Sequence, residues 1–139
     1  GLPIFCFVAD CVPALLCDAE HGVIAAVHCG WRSSVADILG VTVEKMCALG
    51  AEPESICAAM GASIGRCCFE TDDDVPDGKT MVDLRAANAM RLRQLGLRAE
   101  NIDVSHERTM CSHEKYWSHR YTQRMGQGRG SLAAGIVLD

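Results

Sequence analysis

Two residues near the start of the chain have types and spacing that suit a metal ion: Cys11, in Ala9-Asp10-Cys11, and His28, in Val27-His28-Cys29-Gly30-Trp31-Arg32. A cysteine thiolate binds zinc at ~2.3 Å and an imidazole nitrogen at ~2.0 Å, and the same donors suit copper. Two ligands do not make a tight site. A catalytic zinc keeps three protein ligands and one open position, so a third ligand is required. The same pair fits a cysteine hydrolase or amidase, in which His28 would generate a nucleophilic Cys11 thiolate. It also fits no chemistry, with Cys11 a buried thiol and His28 a satisfied core histidine. Asp10 weighs against that bland reading. A carboxylate beside buried strand ends needs a partner, and His28 and Arg32 are the obvious ones.

The elements that must carry these residues are legible as short apolar runs. Residues 4–9 (IFCFVA) read as a buried strand, and residues 12–17 (VPALLC) as a second. Pro13 falls near the start of that second strand, where a missing N–H is tolerable. Residues 18–22 form a turn and residues 23–29 (VIAAVHC) a third strand, which makes a hairpin of the second and third. Ser33-Ser34 then cap a predicted helix over residues 35–49, whose apolar positions recur at helical spacing and which Gly50 ends. Residues 55–60 predict another strand. Asp83 caps a helix over 84–95 ended by Gly96, and residues 102–105 and 131–138 are strand candidates. Residues 71–79 (TDDDVPDGK) are acidic and turn-rich, like a linker. Strands, helices and hairpins in mixed order indicate an α/β or α+β protein with a mixed sheet.

Two further stretches bear on chemistry. Residues 61–70 (GASIGRCCFE) contain glycines whose exposed N–H groups can cradle an anion, although the spacing matches no dinucleotide or P-loop pattern. Its vicinal Cys67 and Cys68 can be metal-binding, redox-active or packed, and packing is the expectation. Residues 111–129 place Arg120, Arg124 and Arg129 among Tyr116, Trp117 and Tyr121. Arginines hold phosphate oxygens in a bidentate fork, and aromatic rings stack on bases. A solvated surface segment is the alternative.

Bulk properties narrow the classes. The 139 residues suffice for one domain with a proper core, and 1–139 is read as one. No run of ~18 apolar residues offers a membrane span. A net charge of −5 argues against a nucleic-acid footprint, and the scattered arginines of the C-terminal third suit a small anion better than a polyanion. Nine cysteines, an odd number mostly within apolar runs and with no export signal, read as free thiols in a reducing cytoplasm.

Taken in order, ADCVPALLCD, VIAAVHCGWR, GASIGRCCFE, DLRAAN and the terminal YWSHR with SLAAGIVL resemble the YfiH-like laccase-domain family, also labelled multicopper polyphenol oxidase and purine nucleoside phosphorylase. The resemblance spans essentially the whole chain and includes the seventeen-residue step from Cys11 to His28. It implies a layered α/β sandwich with mixed sheets and a mononuclear zinc site of one Cys and two His. Cys11 and His28 match two of those ligands; the third, a His in a QVH motif, is expected upstream of this sequence. The stretch around Asp74 to Gly78 is shorter than the family's usual one, and the terminal motif usually reads closer to FFSYRR.

The resemblance implies phosphorolysis of adenosine, inosine or guanosine to base and ribose 1-phosphate, with adenosine deamination as a side activity. Purine nucleoside and phosphate are then the partners, with a monomer and a homo-oligomer equally open. Arg32, Arg120 and, more loosely, Arg129 are the expected anion holders. Asp10 is a candidate for proton transfer or for orienting His28. The older label implies copper-dependent phenol oxidation. That chemistry typically draws on His-x-His pairs, and the five histidines here contain none.

Overall fold

A computed structural model describes residues 1–71 and 80–139. The predicted linker lies, apart from Thr71, outside the described residues, as does the shortened stretch at 74–78. The core is a four-stranded mixed sheet in the order β3 (Val23–Cys29), β2 (Val12–Asp18), β4 (Cys57–Met60) and β7 (Ile102–Val104). Strand β2 pairs antiparallel with β3 on one side and with β4 on the other, while β7 runs parallel to β4. A separate antiparallel ribbon joins β1 (Ile4–Val8) to β8 (Leu132–Ile136) and packs against β2 and β3. A third, minimal pairing links β5 (Glu70–Thr71) with β6 (Thr80–Met81).

Alternation in β2 and β3 explains why this sheet forms. Val12, Ala14 and Leu16 share one face with Val23, Val27 and Cys29, and all six are buried. That face is covered by Leu39, Val43 and Met46 of α2 (Ile38–Ala48) and by Leu84 and Leu92 of α3 (Leu84–Gln94), which gives a continuous apolar core. The expected layered architecture with a mixed sheet is therefore present. Among the described residues, no helix is long and apolar enough to cross a membrane.

Four expectations need correction. The helix predicted over 35–49 is two helices, α1 (Trp31–Val35) and α2, and Ser33-Ser34 lie inside the first. The break is Asp37, which adopts a left-handed backbone (φ 58°) and caps α2 by accepting the Gly40 N–H at 3.2 Å. Arg91 of α3 holds that carboxylate in a fork, donating from Nε and Nη2 at 2.7 Å each. The strand predicted from Ser55 begins only at Cys57, because the N–H groups of Ser55 and Ile56 turn back to the Glu52 carbonyl. Residues 119–125, for which no element was expected, form α4 (His119–Met125), which Ser118 caps by accepting the Tyr121 N–H. Lastly, not every cysteine in an apolar run is buried: Cys57 is exposed and Cys17 and Cys47 are half-buried, although all nine thiols are free.

The β2–β3 turn is fixed electrostatically. The wholly buried Asp18 carboxylate accepts from the His21 N–H (3.1 Å), the His21 ring (2.8 Å) and the Glu52 N–H (2.9 Å). Burial alone would raise the Asp18 carboxyl, but these bonds outweigh it and hold the group below its usual 3.8. The bond to Asp18 in turn raises His21 above its usual 6.5. The carboxylate's contribution to stability is present above 3.8 and lost as pH falls through the lowered folded value. The imidazolium's is full below 6.5 and lost as pH rises through the raised one. Urea midpoints of wild type and Asp18→Asn are therefore expected to differ most near about pH 5 and to converge in strong acid. Leu16→Ala, at the centre of the sheet, is expected to lower the unfolding free energy by about 2–5 kcal/mol in the same experiment.

Candidate functional site

The site grows out of the β2–β3 register. Val12 lies opposite Cys29 and Pro13 opposite His28, so one further step sets Cys11 opposite Gly30. His28, two residues before Gly30, shares its face, since side chains on a strand alternate with a period of two. Cys11 and His28 are thus diagonal cross-strand neighbours with a glycine between them. A carbon added at Gly30 would stand 3.1 Å from Cys11 Sγ and 3.7 Å from His28 Nε2. Thiol and imidazole converge on one small space that stays open because residue 30 has no side chain. This donor pair and this cradle fit a zinc or copper ion with its remaining ligands from elsewhere. Burial, and then the adjacent Asp10 carboxylate, push the Cys11 thiol up, whereas a coordinating metal deprotonates a thiol outright.

The corner after β3 is held by Ser33. Its hydroxyl accepts the Gly30 N–H at 2.9 Å and donates to the His28 carbonyl at 3.0 Å. Ser34 bonds the buried Asn88 of α3, which fixes the short α1 against the core. Arg32 then emerges into a cavity of about 570 Å³. His28, Gly30, Trp31 and Ser33 form the same wall; Phe69, Glu70, Thr71 and Arg120 form another.

Asp10 works differently from the expectation. Its partners are neither His28 nor Arg32. One carboxylate oxygen accepts the hydroxyl of the fully buried Thr109 at 2.6 Å, and the other accepts the backbone N–H of Arg120 at 2.7 Å. Its own carbonyl accepts the Ile64 N–H, and its backbone is left-handed (φ 79°). Asp10 therefore pins the start of α4, and with it Arg120, beside the strand that follows Cys11. The Arg120 guanidinium donates to the Glu70 carbonyl at 2.8 Å and lies over the Phe69 ring at 5.4 Å, which aims it into the cavity.

Not every expected residue gathers here. Arg129 is exposed and is absent from the cavity lining. The aromatic rings beside the cavity are Trp31 and Phe69 rather than those of 116–121: Tyr121 stacks on His113 and Trp117 packs over Gly130. His21 is engaged by Asp18. Sequence reasoning missed Thr109, which carries no local signal at 99 positions from Asp10, and did not assign roles to Phe69 and Glu70 inside the motif it had singled out. The vicinal Cys67, expected to be packed, is exposed.

Over residues 1–139 the sequence matches the family described as multi-copper polyphenol oxidoreductase laccase. The chain belongs to the YfiH-like laccase-domain family. Among curated relatives in it, "Adenosine deaminase RL5" from an unknown prokaryotic organism is 37% identical over 98% of this chain and 58% of its own length. "Purine nucleoside phosphorylase" of Bacteroides thetaiotaomicron is 31% identical over 94% and 54% respectively. Two solved members share the fold. Bacillus licheniformis YfiH superposes with a TM-score of 0.89 at 26% identity, covering 99% of this chain and 58% of that one. YlmD of Geobacillus stearothermophilus superposes at 0.87 with 27% identity, covering 96% and 56%. The chain thus spans little more than half the length of each of these four relatives.

The glycine cradle makes a test that leaves both donors in place. Were zinc held between Cys11 and His28, Gly30→Ala in the intact protein would weaken its binding by at least about tenfold, by competition titration with a chelator. The backbone itself tolerates the change, because Gly30 has an ordinary negative φ of −84°. Unchanged affinity would show that the ion does not sit in this cradle.

Proposed function

We propose that this chain carries the larger part of a purine nucleoside phosphorylase site, with adenosine deamination as a second reaction at the same centre. The observation that carries this reading is the convergence of Cys11 Sγ and His28 Nε2 on the Gly30 cradle, at the wall of a cavity into which Arg32 and Arg120 project. The names of the two curated relatives support it.

Cys11 and His28 would hold a zinc ion as two of the three protein ligands that a catalytic site requires. When bound, zinc supplies Lewis acidity, which brings the pKa of a coordinated water to about 7. The protein's own groups supply the rest. Arg32 and Arg120 face the cavity as cations and would hold inorganic phosphate against the ribose. A phosphate oxygen then bonds to C1′ as the C1′–N9 bond breaks, and that electron pair leaves with the purine. Phe69 and Trp31 present apolar surface to the nucleoside, and Phe69 also supports the Arg120 guanidinium. Asp10 is a positioning residue: it sets Arg120 through the backbone and touches neither substrate.

Phosphorolysis of inosine by the intact protein, followed by chromatography of hypoxanthine and ribose 1-phosphate, tests the assignment. Cys11→Ala and His28→Ala are expected to lose bound zinc and to lower kcat/KM by at least about 100-fold. Arg120→Ala should instead raise the KM for phosphate by about tenfold or more, with Arg120→Lys recovering part of it. Full zinc content and full rate in Cys11→Ala would refute the metal assignment.

A further inference from the structure

Three cysteines outside this site form a sulfur triangle. Cys67 Sγ lies 3.5 Å from Cys68 Sγ and 3.6 Å from Cys111 Sγ, and Cys68 and Cys111 are 3.8 Å apart. All three are free thiols, at separations far beyond the ~2.05 Å of a disulfide bond. Three thiolates on one tetrahedral zinc at ~2.3 Å stand about 3.8 Å from each other. The observed edges match that spacing to within a few tenths of an ångström. Among the described residues, this is the one group of three or more metal-ligating side chains whose donor atoms all fall within 4.8 Å of one another.

The fold builds the triangle from two separate loops. The Gly65 carbonyl accepts the N–H groups of Cys68 (2.9 Å) and Phe69 (3.1 Å), a tight turn that brings both adjacent thiols toward one point. The third comes from the turn closed by the Ser112 N–H on the Arg108 carbonyl, and that loop is tied to the first by the Thr109 N–H on the Ser63 carbonyl at 3.0 Å. Residue 65 must be small: an added carbon would stand 2.8 Å from the Arg108 side chain and 3.2 Å from Cys67 Sγ. Cys67 and Cys111 are exposed, so an ion can enter from solvent, which can also complete its coordination.

We propose that Cys67, Cys68 and Cys111 form a second metal site, all-thiolate, for a thiophilic cation of the zinc class. Binding would release thiol protons as three S–metal bonds form. The site shares no residue with Cys11 and His28 and does not depend on the phosphorolysis reading. Its consequence is mechanical. Cys68 directly precedes Phe69 and Glu70, and Cys111 lies in the segment that leads to Arg120, so one ion would clamp together the two segments that build that wall of the cavity.

Cysteine-resolved alkylation of the reduced, intact protein tests it, with zinc chloride present or absent and peptides mapped by mass spectrometry. Zinc is expected to slow modification of Cys67, Cys68 and Cys111 by at least about tenfold and to leave the exposed Cys57 unchanged. Cadmium titration should give a sulfur-to-cadmium charge-transfer band that survives in Cys11→Ala and, in that background, falls away in a Cys67→Ser/Cys111→Ser double variant. Unchanged alkylation at the three cysteines, or an undiminished band in the double variant, would overturn the proposal.

Discussion

The antiparallel pairing of β2 with β3, in which Val12 faces Cys29 and Pro13 faces His28, is the constraint on which the rest of the site depends. Slipping that register by one residue would turn His28 to the opposite face and carry Val27 and Cys29 out of the core. The register is therefore secured by apolar burial on the helix-facing side and by the Asp18 and His21 pair at the turn. Neither device touches the cavity. The core face holds the donors in place from behind, and the glycine opposite Cys11 leaves them a common space.

A second layer of constraint reaches the cavity through Asp10. Buried and held in a left-handed conformation, it spends both carboxylate oxygens on groups from the last third of the chain. A buried carboxylate left without such donors would be strongly destabilising, so its neighbours and its conformation determine each other. The arrangement joins the donor-bearing hairpin to the helix that carries Arg120. A residue adjacent to Cys11 thus has an effect on the Arg120 side of the cavity without facing it.

Much of this was legible in the order of residues. The hairpin of β2 and β3, the helix after Asp83, and the pairing of Cys11 with His28 all follow from local periodicity and spacing. What was illegible involves partners distant in sequence. The break at Asp37 is held by Arg91, a residue 54 positions away that no helical pattern reveals. Helix α4 is seven residues long and largely polar, too short for a periodic apolar stripe, and its position rests on Asp10. Asp10 itself was expected to bond His28 or Arg32 and instead bonds Thr109 and the backbone N–H of Arg120. The vicinal thiols were read as packed because the turn at Gly65 and the arrival of Cys111 are tertiary facts.

The β1–β8 ribbon has a kinetic consequence. Ile4 pairs with Ile136 and Val8 with Leu132, and the bond between Asp10 and Arg120 closes a loop nearly as large. Contacts this far apart in sequence must pay loop-closure entropy before they return any stabilisation, so they form late. In chain order, the β2–β3 hairpin comes first with its thiol and imidazole side by side, and the arginine of α4 follows it. Between the two, the nascent chain presents Cys11 and His28 without the wall that carries Arg120.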